Sequence, residues 1–528
     1  MKKLLLFGVV LAMIFATACG GVALPEEGIT TTAGEEASRP ADTDPAEGDT
    51  RLLRLAVNGV SLPDFDPDKT AYTVSAEDVD SMDVEAVAAQ EGAMISVARE
   101  GASVTVTVTG KNGENQRVYT LDARVALEGK VVNHNGANAT VTYVIDDGDQ
   151  QTAIAVIKNM AEKYPSLAAS FALVTQSLAM FKTVEGADGV LEYLKDENGN
   201  YVYSKNTANW NFWDKMLHRY GRDGFEAVSH SHTHKYWGEN DEGGAFDFRL
   251  SNKKTVTSEI FPRGNVSKEF LGSNQIIREL GQRGLVFVRP GLTHEGQGVK
   301  LSSGFWDNMQ NSGAFIAARG TYTYPDQPET MLNSFTAFGD ADARFFLKSY
   351  MVQHYNTSPG VKTEKGKSTP EECLAAGIEY WTDYIDAAVE NNAWAAFCIH
   401  TIRPDTHTGS GHYIFTSQAD ALFAYTEQLS AENKVWVANL TDAFLYAIEW
   451  STASVEAHQV GNDRAVVSLS CRETAEIYRL PLTVRILLPA GKTAASLNGS
   501  ALVTEEAEGL TYAYLSLIPG SEVTLDLQ

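Results

Sequence analysis

The spacing of apolar residues along this chain changes character twice. From Arg51 to about residue 125, apolar and polar positions alternate. Leu52, Leu55, Val57 and Val60 open the stretch, and Ser103-Val104-Thr105-Val106-Thr107-Val108-Thr109 repeats with a period of two. Tyr119-Thr120-Leu121 then follows a Gly-Lys-Asn-Gly turn. Period two marks strands with one buried face, so residues 51–125 are expected to form a β-sandwich. Over 130–450 short apolar runs alternate with helical stripes, the pattern of a parallel sheet or barrel. Strands are expected near 140–146, 168–174, 225–229, 285–289, 314–318, 394–399 and 435–440. Residues 150–163 predict a helix with Ile154, Ile157 and Ala161 on one stripe. Thr369-Pro370-Glu371-Glu372 opens another, with Leu374, Ile378, Trp381 and Ile385 on its apolar face. The spacing thus predicts an α/β fold, an incomplete barrel of about seven parallel strands over 130–450. Residues 191–203, centred on Asn198-Gly199, read as an inserted β-hairpin that could overhang the strand ends. Past Trp450 the helical pattern stops, and runs at 465–469, 482–488 and 511–515 predict a second sandwich over 453–528.

The first residues add an expectation of export. Lys2-Lys3 precede an apolar run over 4–15 that is too short to span a bilayer as a mature helix. The run ends in Ala16-Thr17-Ala18-Cys19, which resembles a bacterial lipobox. The resemblance implies loss of a signal peptide over 1–18 and a lipid anchor on Cys19. The mature protein would then be an extracytoplasmic, membrane-anchored lipoprotein of the bacterial cell surface. Residues 19–50 are rich in Gly, Pro, Thr, Ala and acids, a flexible tether. The other cysteines, Cys373, Cys398 and Cys471, are too widely spaced to read as a disulfide framework. A formal charge of −26 argues against nucleic acid as a partner and disfavours strongly anionic polymers.

Candidate chemistry concentrates where strands end. The run Val141-Thr142-Tyr143-Val144-Ile145 stops at Asp146-Asp147-Gly148, just before a predicted helix, where α/β folds place their sites. Adjacent carboxylates there repel and titrate as a coupled pair unless a cation separates their roles. Downstream, Phe225-Glu226-Ala227-Val228 leads into His230-Ser231-His232-Thr233-His234. Two histidines at i and i+4 share a face of a helical turn, whereas His230/His232 or His232/His234 would share one only in an extended segment. With Asp147, His230 and His234 would give three ligands and leave a coordination position open, as in catalytic metal sites. Asp146-Asp147-Gly148-Asp149 lacks the register of an EF-hand. Arg289-Pro290-Gly291 ends a third strand and His400 ends a fourth. No Gly-x-Ser-x-Gly elbow is present. Cys398 lies on the same strand face as His400, which admits a Cys–His nucleophile or a small packed hydrophobe. Two histidines and a carboxylate can also hold iron, though on all-β barrels rather than an α/β pattern.

In this order, Asp146-Asp147-Gly148, His230-Ser231-x-x-His234, Arg289-Pro290 and Ile399-His400 resemble the polysaccharide deacetylase family (the NodB-homology domain, a carbohydrate esterase family) over roughly 135–450. The resemblance implies a distorted (β/α) barrel. It also implies a divalent metal, usually zinc, on Asp147, His230 and His234. Asp146 would be the general base, Arg289 would hold that base in place, and His400 would be the general acid. The implied substrate is an acetylated oligo- or polysaccharide; a protonated His400 suited to an amine leaving group, and export beside cell-wall glycan, slightly favour N-acetyl amides over O-acetyl esters. The third motif is compressed relative to the family's Arg-x-Pro-aromatic-Gly. The fourth, an Asp-Trp pair beside the acid histidine, has no direct counterpart; Trp306-Asp307 is reversed, and Asp405 is a possible substitute. These departures keep open a non-catalytic, carbohydrate-binding surface lipoprotein on the same barrel. The Phe65-Asp66-Pro67-Asp68 and Tyr72-Thr73-Val74 element resembles cadherin-like modules of bacterial surface proteins, which implies a spacer.

Overall fold

A computed structural model describes residues 48–75, 82–101, 103–234, 241–242, 244–249, 255–290, 303–323, 328–353, 370–407 and 412–528. The leader, Cys19, nearly all of the tether, Gly291 and Thr369 lie outside the described residues. Seven parallel strands close into a barrel: Ala139–Ile145, Ala169–Leu173, Phe225–Ser229, Val286–Val288, Ala317–Thr323, Leu347–Met351 and Trp394–Ile399. Each pairs with the next, and the seventh returns to the first over Trp394↔Thr140 to Ile399↔Ile145. The sixth strand, Leu347-Lys348-Ser349-Tyr350-Met351, is missing from the expected set because it contains no continuous apolar run. The strand expected last is instead an eighth, Val435–Ala438, outside the closed ring. It pairs with the lower half of the first strand, from Val435↔Ala139 to Ala438↔Thr142. The second strand reaches the same edge only at Ser170↔Val144 and Phe171↔Ile145. One edge of the first strand is thus shared between two partners, which is the barrel's distortion.

Along each strand, alternate residues face the barrel interior. Val144, Ala172, Val228, Val286, Val288, Ala317, Trp394 and Ala396 belong to one buried cluster with the helix Leu440–Thr452. That helix plugs the lower end, and the same cluster runs on through Phe444 and Ile448 to Val484 and Ile486 beyond it. Val141, Tyr143, Ile145, Phe171 and Ala227 face outward onto the surrounding helices. The first of these starts at Gln150–Ala153, capped by Asp149, whose Oδ1 accepts from Thr152 N at 2.7 Å. It continues with π-type turns over Ile154–Met160. Those turns shift the phase of the stripe, so Val156, Ile157 and Met160 are buried while Ile154 is 39% exposed. No helix among the described residues is long and apolar enough to cross a membrane.

Outside the barrel, Leu52–Val57 with Val60–Ser61 and Val84–Ala88 packs across Leu52, Leu55, Val104, Val106, Tyr119 and Leu121 onto a second sheet. The long strand Gln116–Leu127 of that second sheet runs on and pairs with Ala453–Val460, from Val460↔Arg124 to Ala457↔Leu127. The sheet therefore continues into Arg464–Cys471 and Glu522–Leu527 of the C-terminal part. Gly129–Val132, Leu482–Leu487, Leu510–Leu517 and Val503–Ala507 form a four-stranded sheet beside it.

Candidate metal centre

The interior-facing rows of four strands run straight up into one group of polar side chains. Val144 is followed two residues on by Asp146, Val228 by His230, Ala317 by Arg319, and Ala396 by Cys398 and then His400. Period two therefore aims all five side chains at one point above the barrel core.

Asp146 is 1% exposed and lies against Arg319, which is fully buried. The pair is bidentate, with Nη1 donating to Oδ1 at 2.7 Å and Nη2 to Oδ2 at 2.6 Å. Burial pushes the Asp146 carboxyl up, but Arg319 outweighs it, with His230 helping, and holds the group below its ordinary range. The thiol of Cys398 also donates to Asp146 Oδ2 at 3.4 Å, and burial beside that carboxylate pushes the thiol's pKa well up. A thiol held this way is a poor nucleophile, which removes the Cys–His reading.

The arginine on Asp146 is Arg319, and this corrects the expected role of Arg289. The reason is parity. Val286 and Val288 face inward, so Arg289 belongs to the alternate row. Its guanidinium donates to Gly320 O at 3.3 Å, and its own carbonyl accepts from Arg319 Nη2 at 3.3 Å. Arg289 thus supports Arg319 through the backbone. The rule that singled out Arg289, a polar residue closing an apolar run, also fits Arg319 after Phe315-Ile316-Ala317-Ala318; the family motif drew the role to the wrong arginine.

Asp147, His230 and His234 come together as expected. Asp147 Oδ1 lies 3.5 Å from His230 Nε2 and 3.2 Å from His234 Nε2, and the three donor atoms form one compact group. Ligands at about 2.0–2.1 Å from a shared cation sit roughly 3.3 Å apart in a tetrahedron, which matches both separations. The His230 tautomer is also suitable. Its Nδ1–H donates to Val288 O at 2.8 Å, which leaves the Nε2 lone pair facing Asp147. Burial raises the Asp147 carboxyl, but the imidazoles of His230 and His234 beside it outweigh this and hold it far below the ordinary range. Burial pulls His234 down, and the bond to Asp147 more than restores it, leaving it raised. The donor set and its hydrogen-bonded support fit a divalent metal.

Three non-glycine residues of this group hold a left-handed backbone: Asp147 at φ 67°, Ser231 at 63° and His234 at 58°. Each costs about 1–3 kcal/mol, a strain that clusters at functional sites. Gly148, at φ +67°, could not be replaced cheaply, since a Cβ there would meet Leu173 Cδ2 at 2.9 Å. The histidine turn is tied from beneath by Glu269, which accepts from His232 N at 3.0 Å and from Thr233 N at 2.8 Å. Glu269 stays ionised beside Lys268, 2.7 Å away and also buried. His232 points away from the centre. Its Nδ1 meets Thr175 Oγ1 at 3.1 Å, its ring packs on Phe181, and burial pushes its pKa down to about 3.

His400 stands beside Asp146 and Asp147, with Nδ1 4.0 Å from Cys398 Sγ. Burial pushes its pKa down to about 4 despite the two carboxylates, which raise it. Asp405 does not supply the missing acidic partner: it caps a helix by accepting from Ser417 N at 3.0 Å. Asp307 is exposed on the helix Ser303–Asn311. The ring beside His400 is that of His412, at 5.3 Å between centroids. A cleft of ≈ 590 Å³ opens here, lined by Asp147, His400, Arg403, His407, His412 and Tyr413 among others. Aromatics near the expected hairpin serve packing: Trp213 and Tyr201 are buried, and Trp210 is covered by Lys205. The hairpin turn lies at Asp196–Asn200, and Phe181 from the neighbouring strand Ala179–Phe181 braces the histidine turn.

No family model matches this sequence, and none of the curated proteins compared with it matches. Among solved structures, the chain is similar to a mutant of a CE4 family pseudoenzyme with restored enzymatic activity, at 10% identity over 67% of this chain and 91% of that one, with a TM-score of 0.26. It is also similar to a cyclomaltodextrinase, at 8% identity over 84% and 91% with a TM-score of 0.26. An alpha-amylase from Lactobacillus plantarum matches at 10% identity over 74% and 98%, with a TM-score of 0.28. Likenesses this distant leave function to be argued from the site itself.

Proposed function

We propose that this chain is a metal-dependent hydrolase that removes acetyl groups from a carbohydrate. One observation carries the reading: Asp147, His230 and His234 converge directly beside an arginine-clamped carboxylate and an imidazole. When bound, a divalent cation, most naturally zinc, supplies Lewis acidity toward an acyl oxygen and water at neutral pH. Asp146 takes the proton of the attacking water, because Arg319 keeps it ionised in a site that otherwise favours the neutral acid. Cys398 and Arg319 fix its orientation, and free lone pairs remain on both oxygens. In its protonated form His400 hands a proton to the departing sugar oxygen or nitrogen, and the cleft beside it receives the saccharide.

Export beside cell-wall glycan favours an N-acetyl amide, but one feature favours an O-acetyl ester. With its pKa pushed down to about 4, His400 is mostly neutral at pH 7 and poorly placed to protonate an amine. An alkoxide needs that help less. Acetate release from chitooligosaccharides and from acetylated xylooligosaccharides, with and without chelator, tests both levels. Release abolished by chelator supports the hydrolase, and the preferred substrate decides between amide and ester. No release from a broad panel by the metal-loaded protein would favour a non-catalytic carbohydrate-binding lipoprotein. We also propose export and anchoring at Cys19; a Cys19→Ala variant that still fractionates with membranes would refute it.

A further inference from the structure

The exposed imidazole of His412 is held as carefully as a buried one. The strands Thr401–Arg403 and Tyr413–Phe415 run parallel, with Thr401 opposite Tyr413. The residues just before that pair are His400 and His412, so the register alone sets them side by side. Their rings lie 5.3 Å apart with planes tilted by 35°. Thr401 Oγ1 donates to the His412 carbonyl at 3.1 Å, which pins the backbone. Gln353, fully buried just past the barrel strand Leu347–Met351, donates from Nε2 to His412 Nδ1 at 2.5 Å.

A histidine in contact with water meets its hydrogen-bonding needs there, and ordering its side chain costs entropy. A buried amide spent on orienting an exposed ring makes sense if the ring has something to meet. Because Nδ1 accepts from Gln353, Nε2 keeps its hydrogen and is a donor. The ring lines the same cleft as Asp147 and His400.

We propose that His412 is a specificity-determining residue: its Nε2–H hydrogen-bonds an oxygen of the sugar unit that carries the acetyl group, on the His400 side of the centre. This rests on the hydrolase reading above and adds what the cleft recognises, a hydroxylated saccharide rather than any acetyl ester. An exposed donor held by a buried amide loses little freedom on binding, which favours selectivity.

The test compares kcat/KM on an acetylated oligosaccharide with kcat/KM on p-nitrophenyl acetate, which carries no sugar. His412→Ala should lower the ratio of the two about tenfold, the loss of one hydrogen bond. His412→Gln, which keeps a side-chain N–H, should recover most of it. Gln353→Met should lower the ratio by a smaller factor, since the ring stays but is no longer oriented. An unchanged ratio in His412→Ala, whether both activities persist or both fall together, overturns the proposal. Wild-type protein that hydrolyses neither substrate overturns the hydrolase reading, and this proposal with it.

Discussion

Replacing Arg319 with methionine removes the charge around which the centre is assembled. Both members of the Arg319–Asp146 pair are essentially unexposed, and the geometry is bidentate. Removing one partner of a buried pair leaves the other uncompensated, typically at a cost of about 3–5 kcal/mol. Methionine fills similar volume, so little of the loss would come from a cavity. Arg289→Met should cost less, because the bond it gives Arg319 comes from its backbone carbonyl, which the substitution keeps.

The pH dependence separates this from general damage. In the wild type, the folded pKa of Asp146 is depressed, so its stabilising share is present above the usual carboxylate range and is lost as pH falls. Without Arg319, burial is opposed mainly by the imidazoles of His230 and His400, and the folded pKa is expected to rise above the unfolded one. The variant's Asp146 then favours folding at low pH and opposes it as pH rises. Denaturant midpoints of the two proteins should therefore converge between pH 8 and about pH 4. The double variant Arg319→Met with Asp146→Asn, which removes both charges, should recover much of the lost stability. Equal midpoints for Arg319→Met and wild type at pH 7, or a gap of the same size at every pH, would refute the reasoning.

Three further outcomes follow from the same geometry. His230→Ala or His234→Ala should abolish stoichiometric zinc in elemental analysis, whereas His232→Ala should keep it; zinc lost only from the latter would overturn the ligand assignment. Asp146→Asn should retain metal and lose turnover by about 10²–10⁴-fold in acetate release. Glu449 should titrate in the folded protein far above its usual range: it is fully buried, Oε1 accepts from Leu480 N at 3.2 Å, Oε2 has no partner among the described residues, and burial pushes its pKa up to about 7. A raised folded pKa stabilises below the unfolded value and loses that benefit as pH rises through about 7, so Glu449→Gln should flatten the stability profile between pH 5 and 8 and gain at most about 3 kcal/mol at the upper end, read from denaturant midpoints.

Much of this site was legible in the sequence because barrel chemistry is positional. Asp146, His230 and His400 each end an apolar run, and each continues the parity of inward-facing residues such as Val144, Val228 and Ala396. Asp147 and His234 were legible by their spacing from those residues. Arg319 could have been found by the same parity: it follows Ala317 by two, whereas Arg289 is out of phase with Val286 and Val288. Other features leave no local mark. The strand Leu347–Met351 has a lysine and a serine at its centre and is a strand only because neighbours pair on both sides. Gln353 and Glu269 matter through contacts 59 and 37 residues away in sequence. The exposure of Ile154 depends on π-turns that shift a helical stripe, which residue spacing does not announce.

The shared edge of the first barrel strand explains why the centre forms at this end. On its upper half the strand meets the second strand at Val144 and Ile145 only, and the next two residues are the carboxylates. Asp146 N donates to Ile399 O at 2.8 Å, extending the ladder to the seventh strand by one rung. His230 N donates to Leu173 O at 3.1 Å, extending the ladder between the second and third strands in the same way. The proposed base and one proposed ligand are therefore fixed by sheet pairing rather than by loops. The lower half is different: there Val435–Ala438 takes the edge and the second strand is held off. The gap is closed by the start of Leu440–Thr452, where Leu440 N donates to Ser170 Oγ at 2.7 Å and Thr441 N to Glu226 Oε1 at 2.9 Å. Those orphaned helix donors must be met because they are buried. Closing the first and second strands only at their upper ends places the two rungs of that pairing directly beneath Asp146 and Asp147.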